Sequence, residues 1–402
     1  MKRYKVALVC DWYLPRVGGL EVQIRDLAAE LSARGHEVHV ICTTPAGPRP
    51  DSDSFRVIRL DVSLVPVLNT IGWSDAVVNL EQLFRNERYD VVHAHTAYSV
   101  LAVAATCVAK RLGIPSVYTE HSVLRGAGSW LFRAIDMVYP WTTWPTIMSA
   151  VSGFVAEDLR RISGRDDVQV LVNAIRPEQW SLERKEELRV TCVTRFVKRK
   201  RPMDMVRMVP LINAKLPPEL RPKFTFIGDG PERPRVEREA QRLGVSEYTE
   251  FTGVVPRSEI KKILARSAVF ILPSYKEAMS IAVVEARAAG VPVVARTPNG
   301  VSEVIEHGVQ GFLAPTTEEF VDYVVQLVQD PALRARFSAN CRRNLDRFTW
   351  ESATERHEKL YALAIQRTRQ LRGELVPVNM PVPEVVHDVA PAAFSAHEQL
   401  SP

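Results

Sequence analysis

The hydrophobic pattern alternates between short continuous apolar runs and longer segments in which apolar residues recur every three or four positions. The continuous runs are typical of strands buried on both faces of a parallel sheet, and the periodic segments of helices covering that sheet. In the first half of the chain the main predicted strands and helices are Lys5–Cys10, Val22–Ala33, Val38–Cys42, Tyr89–His93, Tyr98–Leu112, Ser116–Thr119, Ala150–Val151 and Val168–Val172. This alternation predicts a βα domain.

A second series of the same kind follows the charged segment Ser181–Leu188. Its main predicted strands and helices are Arg189–Val193, Phe224–Ile227, Glu232–Leu243, Thr249–Phe251, Ser258–Ala265, Val269–Leu272, Val291–Ala295, Thr317–Gln329 and Pro331–Asp346. The predicted fold class is therefore α/β, with two tandem Rossmann-like parallel-sheet domains. We place the first domain at 1–180, the second at 181–346, a C-terminal helix returning to the first domain at 347–370, and a disordered tail at 371–402.

The composition is that of an ordinary soluble protein in a reducing compartment. Of the 402 residues, 46% are hydrophobic and 25% charged, and the net charge of +5 is too mild to indicate nucleic-acid binding. Five scattered cysteines without CxxC spacing indicate reduced core residues. The first apolar run is too short for a secretory signal, and none reaches the ~20 residues that span a bilayer. We expect a cytoplasmic protein whose membrane contact, where it has one, is peripheral on the cytoplasmic face.

The stretch Ile271–Ala295 carries two glutamates, Glu277 and Glu285, eight positions apart. It predicts a strand, a loop holding Glu277, a helix with Ser280 as N-cap, and a second strand. On one continuous helix this spacing puts residues about 12 Å apart and about 80° apart around the axis, so the carboxylates would hold different parts of one long ligand. Free N–H groups at the helix start, around Met279–Ile281, suit an anion between them. This layout fits a nucleoside diphosphate sugar; the alternative is two solvated charges.

Glycine-rich and basic turns follow several predicted strands. Gly18–Gly19 comes after the first strand, where two glycines allow close backbone approach to a ligand or form a flexible turn. The turn Gly228–Pro231 follows a strand of the second domain. A basic run stands between a strand and a helix, a position that favours a phosphate site over a nuclear signal or nucleic-acid patch. Its members are Arg195, Lys198, Arg199, Lys200 and Arg201.

Histidines and a glutamate stand at the ends of two strands of the first domain. His93 and His95 lie in HAHT, and Glu120 and His121 in TEHS, at the sheet edge where ligands bind in such folds. For His121 the alternative is a core histidine. We expect no metal, because His93 and His95 lack a third ligand at usable spacing. The motif 51–53 (DSD) has the spacing of a metal-binding DxD, but its Pro/Gly/Ser-rich surroundings indicate a solvated turn.

The segment Trp130–Trp144 is unusually rich in aromatic and apolar residues. The pattern favours a packed helix and turn. A Trp/Tyr cluster with nearby arginine also suits contact with a membrane surface, which is the alternative interpretation.

These motifs, in this order, resemble the GT-B-fold retaining glycosyltransferases of family 4. The resemblance covers roughly residues 4–366 and rests on GGLE after the first strand, HAH, TEHS, VNAI, the Arg195/Lys200 spacing, GDGP, and the E-x7-E pair followed by AAGVPVVA. It implies the GT-B fold, in which two Rossmann-like domains face each other across a cleft. The first domain would bind the acceptor and the second the nucleotide sugar.

The resemblance implies a role for each matched residue. Arg195 and Lys200 would neutralise the donor diphosphate in place of a metal, Glu277 would bind the sugar, and Glu285 the ribose. The implied catalytic residues are Glu277, Arg195, Lys200 and His121. The implied donor-binding residues are Gly18, Gly19, Arg195, Lys200, Gly228, Val254, Glu277, Met279, Ser280, Ile281 and Glu285. The implied acceptor-binding residues are His95, Glu120 and His121. No cofactor is expected beyond the nucleotide diphosphate sugar as co-substrate.

Three positions depart from the common family pattern. Ala278–Ile281 replaces a loop that usually contains glycine and phenylalanine, Arg176 stands where an acid is frequent, and Asn299-Gly300 replaces a Gly-Gly pair. The local variants are similar to those of family members that act on phosphoinositides. This favours a lipid-linked or inositol-containing acceptor and UDP-N-acetylglucosamine as donor.

The expected activity is transfer of a hexosyl or N-acetylhexosaminyl group to a hydroxyl acceptor, with the anomeric configuration kept by a metal-independent front-face route. Two alternatives remain. One is a non-catalytic sugar-nucleotide-binding or scaffold subunit of a glycosylation complex, and the other is a GT-B epimerase or phosphorylase.

Overall fold

The computed structural model describes residues 2–16, 18–47, 54–62, 64–65, 70–96 and 99–374. The predicted turn at 51–53 and the predicted tail from 375 onward lie outside these ranges. Within them, no helix combines the length and apolar character that a bilayer crossing requires.

The first half of the chain forms a seven-stranded parallel sheet in the spatial order β3-β2-β1-β6-β7-β8-β9. Its strands are β1 (Lys5–Val9), β2 (Glu37–Cys42), β3 (Arg56–Arg59), β6 (Val91–His95), β7 (Ser116–Glu120), β8 (Ile147–Ala150) and β9 (Gln169–Val170), while β4 (Leu64–Val65) and β5 (Thr70–Ile71) pair separately. Its helices are α1 (Gly19–Ala33), α2 (Trp73–Glu87), α3 (Val100–Leu112), α4 (Ala127–Val138) and α5 (Gly153–Ser163).

The second half forms a six-stranded parallel sheet in the order β12-β11-β10-β13-β14-β15. Its strands are β10 (Glu187–Val193), β11 (Lys223–Ile227), β12 (Thr249–Gly253), β13 (Ser267–Leu272), β14 (Val293–Arg296) and β15 (Gly311–Ala314). The helices are α6 (Pro202–Ala214), α7 (Arg233–Arg242), α8 (Arg257–Ala265), α9 (Ile281–Ala288), α10 (Thr317–Gln329), α11 (Pro331–Cys341) and α12 (Trp350–Leu371). Two parallel-sheet α/β domains are what the sequence predicted.

The strand orders place the loops that carry the candidate site residues at two equivalent points. In each sheet the order reverses beside the first strand, between β1 and β6 and between β10 and β13. At such a point the loops leave the sheet in opposite directions and open a crevice at the carboxyl ends of the strands. The loop after β1 carries Gly18 and Gly19, the loop after β10 carries Arg195 and Lys200, and the loop after β13 carries Glu277.

Helix α12 packs against the first sheet, although it follows the second in sequence. Its residues Trp350, Leu360 and Tyr361 share a buried core with Val6 and other residues of the first sheet. The helix also brings a hydroxyl to a buried histidine of β6, because the Tyr361 hydroxyl lies 3.0 Å from His93 Nδ1.

Two strands of the first domain extend further at their carboxyl ends than predicted. Strand β6 continues to His95 rather than stopping at His93, and β7 includes Glu120 rather than ending at Thr119. All residues of both strands are buried. The prediction ended each strand at its polar residues. In the structure these residues continue the strands, because their buried side chains form hydrogen bonds within the protein. His93, for example, is bonded to Thr119 Oγ1 at 2.7 Å as well as to Tyr361.

Candidate active site

Glu277 and Lys200 form an ion pair between the two loops that flank the reversal point of the second sheet. The Lys200 ammonium lies 2.6 Å from one carboxylate oxygen of Glu277 and 2.7 Å from the other. Glu277 is only 3% exposed, and Lys200 ends a short 3-10 turn that follows β10. Ser274 ties the loops together by donating from its hydroxyl to the Lys200 carbonyl at 3.2 Å. The sequence brought both residues to this edge; the structure adds that they pair directly.

The loop that carries Glu277 is held by the backbone that follows β14. The Gly300 N–H donates to the Glu277 carbonyl at 2.9 Å, and a Cβ added to Gly300 would lie 1.7 Å from the Ala278 carbonyl oxygen. Only glycine permits that approach. Asn299 is buried and donates to the Ser274 carbonyl at 3.1 Å and to the Arg296 carbonyl at 2.9 Å. Asn299 and Gly300 therefore hold the Glu277 loop against the end of β14.

The first domain also holds this loop. The Ser152 hydroxyl, at the start of α5, donates to the Ala278 carbonyl at 2.6 Å. Glu303 reaches in the other direction and caps α5, accepting from the N–H groups of Gly153 at 2.8 Å and Phe154 at 2.5 Å. The Glu277 loop is thus bonded to both domains.

Two helix N-termini approach each other beside the ion pair. Helix α1 begins at Gly19, helix α9 begins at Ile281, and a Cβ on Gly19 would lie 3.5 Å from Ile281 Cδ1. Ser280 is the N-cap of α9, as predicted, but its side chain makes no capping hydrogen bond. The first N–H groups of a helix have no partner inside it and carry partial positive charge, so an anion between these ends is stabilised by both helices.

Other predicted donor residues surround the same edge of the second sheet. Arg195 is exposed, and its side chain makes no hydrogen bond or ion pair with the described residues. Gly228 has φ +131°, and a Cβ there would lie 1.9 Å from the Thr194 carbonyl oxygen, so the GDGP turn packs directly on the Arg195 loop. Val254 follows β12 and is 70% exposed. Met279 is buried, with its sulfur 3.3 Å from the Asn173 N–H of the first domain.

Glu285 lies in α9, buried and paired with a cation that the sequence did not reveal. Arg257 donates to its Oε1 atom from Nε at 3.1 Å and from Nη2 at 2.7 Å. Burial raises the pKa of Glu285 to about 7, even though the charge and hydrogen bonds of Arg257 act to lower it. Glu277 and Glu285 are therefore paired with different cations, Lys200 and Arg257.

The predicted acceptor residues lie on the first domain, and only some face an open space. His95 Nδ1 lies 3.1 Å from His121 Nε2, and both border a cavity of about 20 Å³, room for about one water, that α12 closes with His357. His95 Nε2 is buried there without a partner among the described residues. Burial lowers the pKa of His121 to about 3 and that of His357 to about 4, so these imidazoles are neutral.

Glu120 has a different surrounding from the one expected of an acceptor contact. Its side chain is fully buried, and it accepts from the N–H groups of His121 at 2.9 Å and Ser122 at 2.8 Å, and from the Tyr118 hydroxyl. The carboxylate therefore shapes the turn that carries His121 and is shielded from the cleft.

A metal-like grouping exists elsewhere in the first domain. Among the described residues, Glu37, His39 and Glu87 have side-chain atoms close enough to share an ion. They lie at the amino-terminal edge of the sheet, away from the cleft, and Lys5 Nζ already pairs with Glu37 at 2.8 Å and Glu87 at 2.7 Å. Arg56 also pairs with Glu87 at 2.9 Å, so two cations balance the two carboxylates of this cluster outside the candidate site.

Sequence reasoning missed Arg257, Ser152 and Glu303. Ser152 follows a strand and precedes a helix, which is an N-cap signal that could have been read. Arg257 contacts Glu285 and Asp26, which lie 28 and 231 residues away in the sequence, and Glu303 contacts the start of α5 about 150 residues away. No local sequence pattern indicates such pairs.

Known proteins share this arrangement along most of the chain. Residues 17–179 match the family model described as Glycosyltransferase Family 4, and residues 176–344 match the model described as Glycosyl transferases group 1. One component of the human phosphatidylinositol N-acetylglucosaminyltransferase is 26% identical, over 90% of this chain and 76% of its own length. The alpha-monoglucosyldiacylglycerol synthase of Acholeplasma laidlawii is 24% identical, over 91% of this chain and 98% of its own length.

The fold agrees with the sequence matches. The crystal structure of Anabaena Alr3699/HepE in complex with UDP-glucose has a TM-score of 0.74 at 18% identity, covering 90% of this chain and all of that one. Two parallel-sheet domains joined in this way form the GT-B fold. The family models and the sequence relatives identify the chain as a glycosyltransferase that uses a nucleotide sugar. The chain belongs to the GT-B glycosyltransferases of family 4.

Proposed function

We propose that the protein transfers a hexosyl or N-acetylhexosaminyl group from a nucleoside diphosphate sugar to a hydroxyl of a lipid-linked acceptor, with retention of configuration and without a metal. The observation that carries the proposal is the pairing of the half-buried Lys200 with the buried Glu277, beside the facing N-termini of α1 and α9. It combines a cation and anion-binding dipoles for a diphosphate with a carboxylate for sugar hydroxyls.

The donor would lie along the carboxyl edge of the second sheet. Its diphosphate would receive N–H groups from Gly19 and Ile281 and positive charge from Arg195 and Lys200, which supplies the neutralisation a divalent ion gives in other enzymes. The ribose would reach Glu285 in α9. The base would then approach the turn after β12, where Val254 is exposed.

The reaction breaks the bond between the anomeric carbon and the phosphate oxygen while the acceptor oxygen bonds to the same face of the sugar. The acceptor proton passes to the departing phosphate oxygen, so no protein base is needed. Lys200 stabilises the negative charge that grows on that phosphate. Both oxygens of Glu277 are bonded to Lys200 Nζ, which makes this carboxylate a poor nucleophile. That pairing supports direct front-face transfer over a covalent glycosyl-enzyme intermediate.

The acceptor would bind against the first domain, near His121 and His95. A lipid-linked acceptor is supported by the names of the two relatives, since one acts on phosphatidylinositol and the other makes a glucosyldiacylglycerol. Both relatives span most of this chain, including the first domain.

The outer face of α4 supports contact with the cytoplasmic surface of a membrane. Trp130 and Met137 are 72% and 85% exposed, and exposed Arg133 lies between them. Residues three and seven positions apart share one face of a helix, so this face presents two apolar side chains and a cation together. By contrast, Trp141 and Trp144 of the same aromatic segment are buried in the core.

The test begins with a thermal-shift screen of UDP, GDP and ADP sugars, because a ligand that binds the native state raises its melting temperature. The donor that binds is then incubated with phosphatidylinositol and diacylglycerol acceptors, with and without EDTA. Nuclear magnetic resonance of the product shows its anomeric configuration. An inverted product, or activity abolished by EDTA and restored by a divalent ion, overturns the mechanism. Donor binding without any transfer or hydrolysis supports the non-catalytic alternative.

A further inference from the structure

Arg257 connects four separate parts of the molecule. It is the first residue of α8, and its guanidinium donates to Glu285 of α9 through Nε and Nη2. Its Nη1 atom lies 3.4 Å from Asp26 Oδ2 on α1 of the first domain. The guanidinium carbon also sits 5.2 Å from the centre of the Trp180 ring, in the segment that joins the domains. One side chain therefore touches both domains and their connection.

The hydrogen bonds to Glu285 leave one oxygen free. Both donors of Arg257 go to Oε1, and Oε2 accepts no hydrogen bond from the described residues. A carboxylate oxygen has two lone pairs that can accept hydrogen bonds, and Glu285 as a whole is only 8% exposed. The free oxygen is thus available to a hydroxyl of a bound molecule while the other stays fixed.

The charge of Glu285 at neutral pH depends on its neighbours. Burial is the largest influence and raises its pKa to about 7; Arg257 and Lys261 act to lower it, and Asp26 acts to raise it. Arg257 and Lys261 lie on α8 and Asp26 on α1, while the segment Pro177–Trp180 packs its uncharged Trp180 ring against the Arg257 guanidinium. Burial and Arg257 have opposite effects on the pKa of Glu285. Without the guanidinium this pKa would rise further, and Glu285 would be mostly protonated at neutral pH.

We propose that Arg257 is a positioning residue for the donor ribose, which orients Glu285, keeps it ionised, and anchors it to Asp26 of the other domain. This inference rests on the proposed function, in which Glu285 binds the ribose. An ionised carboxylate accepts a ribose hydroxyl at Oε2 more strongly than a carboxylic acid does. Donor affinity should therefore follow the ionisation of Glu285. Substitutions of Arg257 and Asp26, which are not proposed to contact the donor, should shift the pH at which the affinity changes.

The experiment measures the dissociation constant of a nucleotide sugar between about pH 5.5 and 8.5 by calorimetry. UDP-, GDP- and ADP-glucose are tried first, and the tightest is used throughout; none has a phosphate that titrates in this range. Wild-type affinity should weaken as pH falls through neutrality. In Arg257→Leu the midpoint should move up by about 1–3 pH units, the usual effect of losing an adjacent opposite charge. Asp26→Asn removes a negative neighbour, so its midpoint should move down.

Two further variants separate this inference from the proposed function. Arg257→Lys keeps the cation and should hold the midpoint near the wild-type value, which guards against misfolding of the leucine variant. Glu285→Gln cannot ionise and should bind weakly with no pH dependence in this range. If Glu285→Gln binds as tightly as wild type, Glu285 does not hold the donor and its role in the proposed function fails. If it binds weakly but Arg257→Leu and Asp26→Asn leave the midpoint in place, the role of Arg257 is refuted alone.

Discussion

The Lys200 ammonium lies within 2.7 Å of both carboxylate oxygens of Glu277, across 77 residues of sequence. The pair joins the loop after β10 to the loop after β13, so it fixes the distance between a group expected to meet phosphate and a group expected to meet the sugar. Because the carboxylate is buried, loss of its cation should also cost stability.

Substituting Lys200 by Met should reduce turnover by about ten- to a hundredfold. This factor corresponds to the loss of about 1.5–3 kcal/mol of transition-state stabilisation, the usual contribution of one charged hydrogen bond. Glu277→Gln should lose a comparable factor. The matched control is Lys198→Met in the same basic turn, since Lys198 is exposed and makes no ion pair with the described residues. Steady-state kinetics with saturating donor measure the effect. Equal turnover in wild type and Lys200→Met would remove Lys200 from the mechanism.

Gly300→Ala should damage both stability and catalysis, because the new Cβ would lie 1.7 Å from a backbone oxygen that cannot move without shifting the Glu277 loop. Forcing an extra methyl group into a packed site typically costs about 1–3 kcal/mol. Urea unfolding and turnover are measured on the same preparation.

The control for this substitution is Gly308→Ala. Gly308 has φ +79° and open space around its Cβ position, so alanine there adds only backbone strain of about 1–2 kcal/mol. It should be destabilised to a similar degree yet keep its turnover. Were both variants to lose activity together, general instability rather than the loop would explain the result.

The sequence was sufficient for the fold class, because buried parallel strands and amphipathic helices each leave a pattern within a few residues. Helices α2 and α5 and strand β3 were not predicted. Val269–Leu272 was predicted and Ser267–Leu272 is observed; Thr317–Gln329 was predicted with its true limits. The strand-end placement of Lys200 and Glu277 followed from the same patterns. It identified the edge of the sheet but could not show that the two side chains meet.

What escaped prediction depends on contacts between domains. Arg257 reaches Asp26 across 231 residues, and Glu303 caps a helix about 150 residues away. Neither local propensity nor hydrophobic period carries information on how two sheets are oriented. At Glu120, the position of a polar residue at a strand end suggested a ligand contact. In the structure the carboxylate is buried and accepts hydrogen bonds from the turn that follows it.

The protein should lose stability in mild acid because several histidines packed within or against the first sheet are buried and neutral. Burial lowers the pKa of His357 to about 4, whereas an unfolded histidine titrates near 6.5. Between these values only the unfolded chain takes up the proton, so the free energy of unfolding falls as pH decreases. Each such group contributes up to about 1.4 kcal/mol per pH unit.

His357→Gln should therefore flatten the pH dependence between about pH 4.5 and 6 by close to one group's contribution. Urea unfolding at a series of pH values gives the slope directly. The comparison needs no equal stability at neutral pH, since only the slopes are compared. Parallel curves for the variant and the wild type would mean that His357 is already protonated in the folded protein.

The outer face of α4 should bind anionic bilayers through Trp130, Arg133 and Met137. Replacing Trp130 and Met137 by Ser removes two apolar side chains from the interface, each worth about 1.5–3 kcal/mol when fully buried, so vesicle binding should weaken at least about tenfold. The assay is sedimentation with phosphatidylglycerol-containing vesicles at low salt. Leu211→Ser is the control, because Leu211 is 49% exposed on α6 of the second domain. Activity on a short soluble acceptor should stay unchanged in both variants. If vesicle binding survives the double substitution, or falls equally with Leu211→Ser, this face of α4 does not bind the membrane.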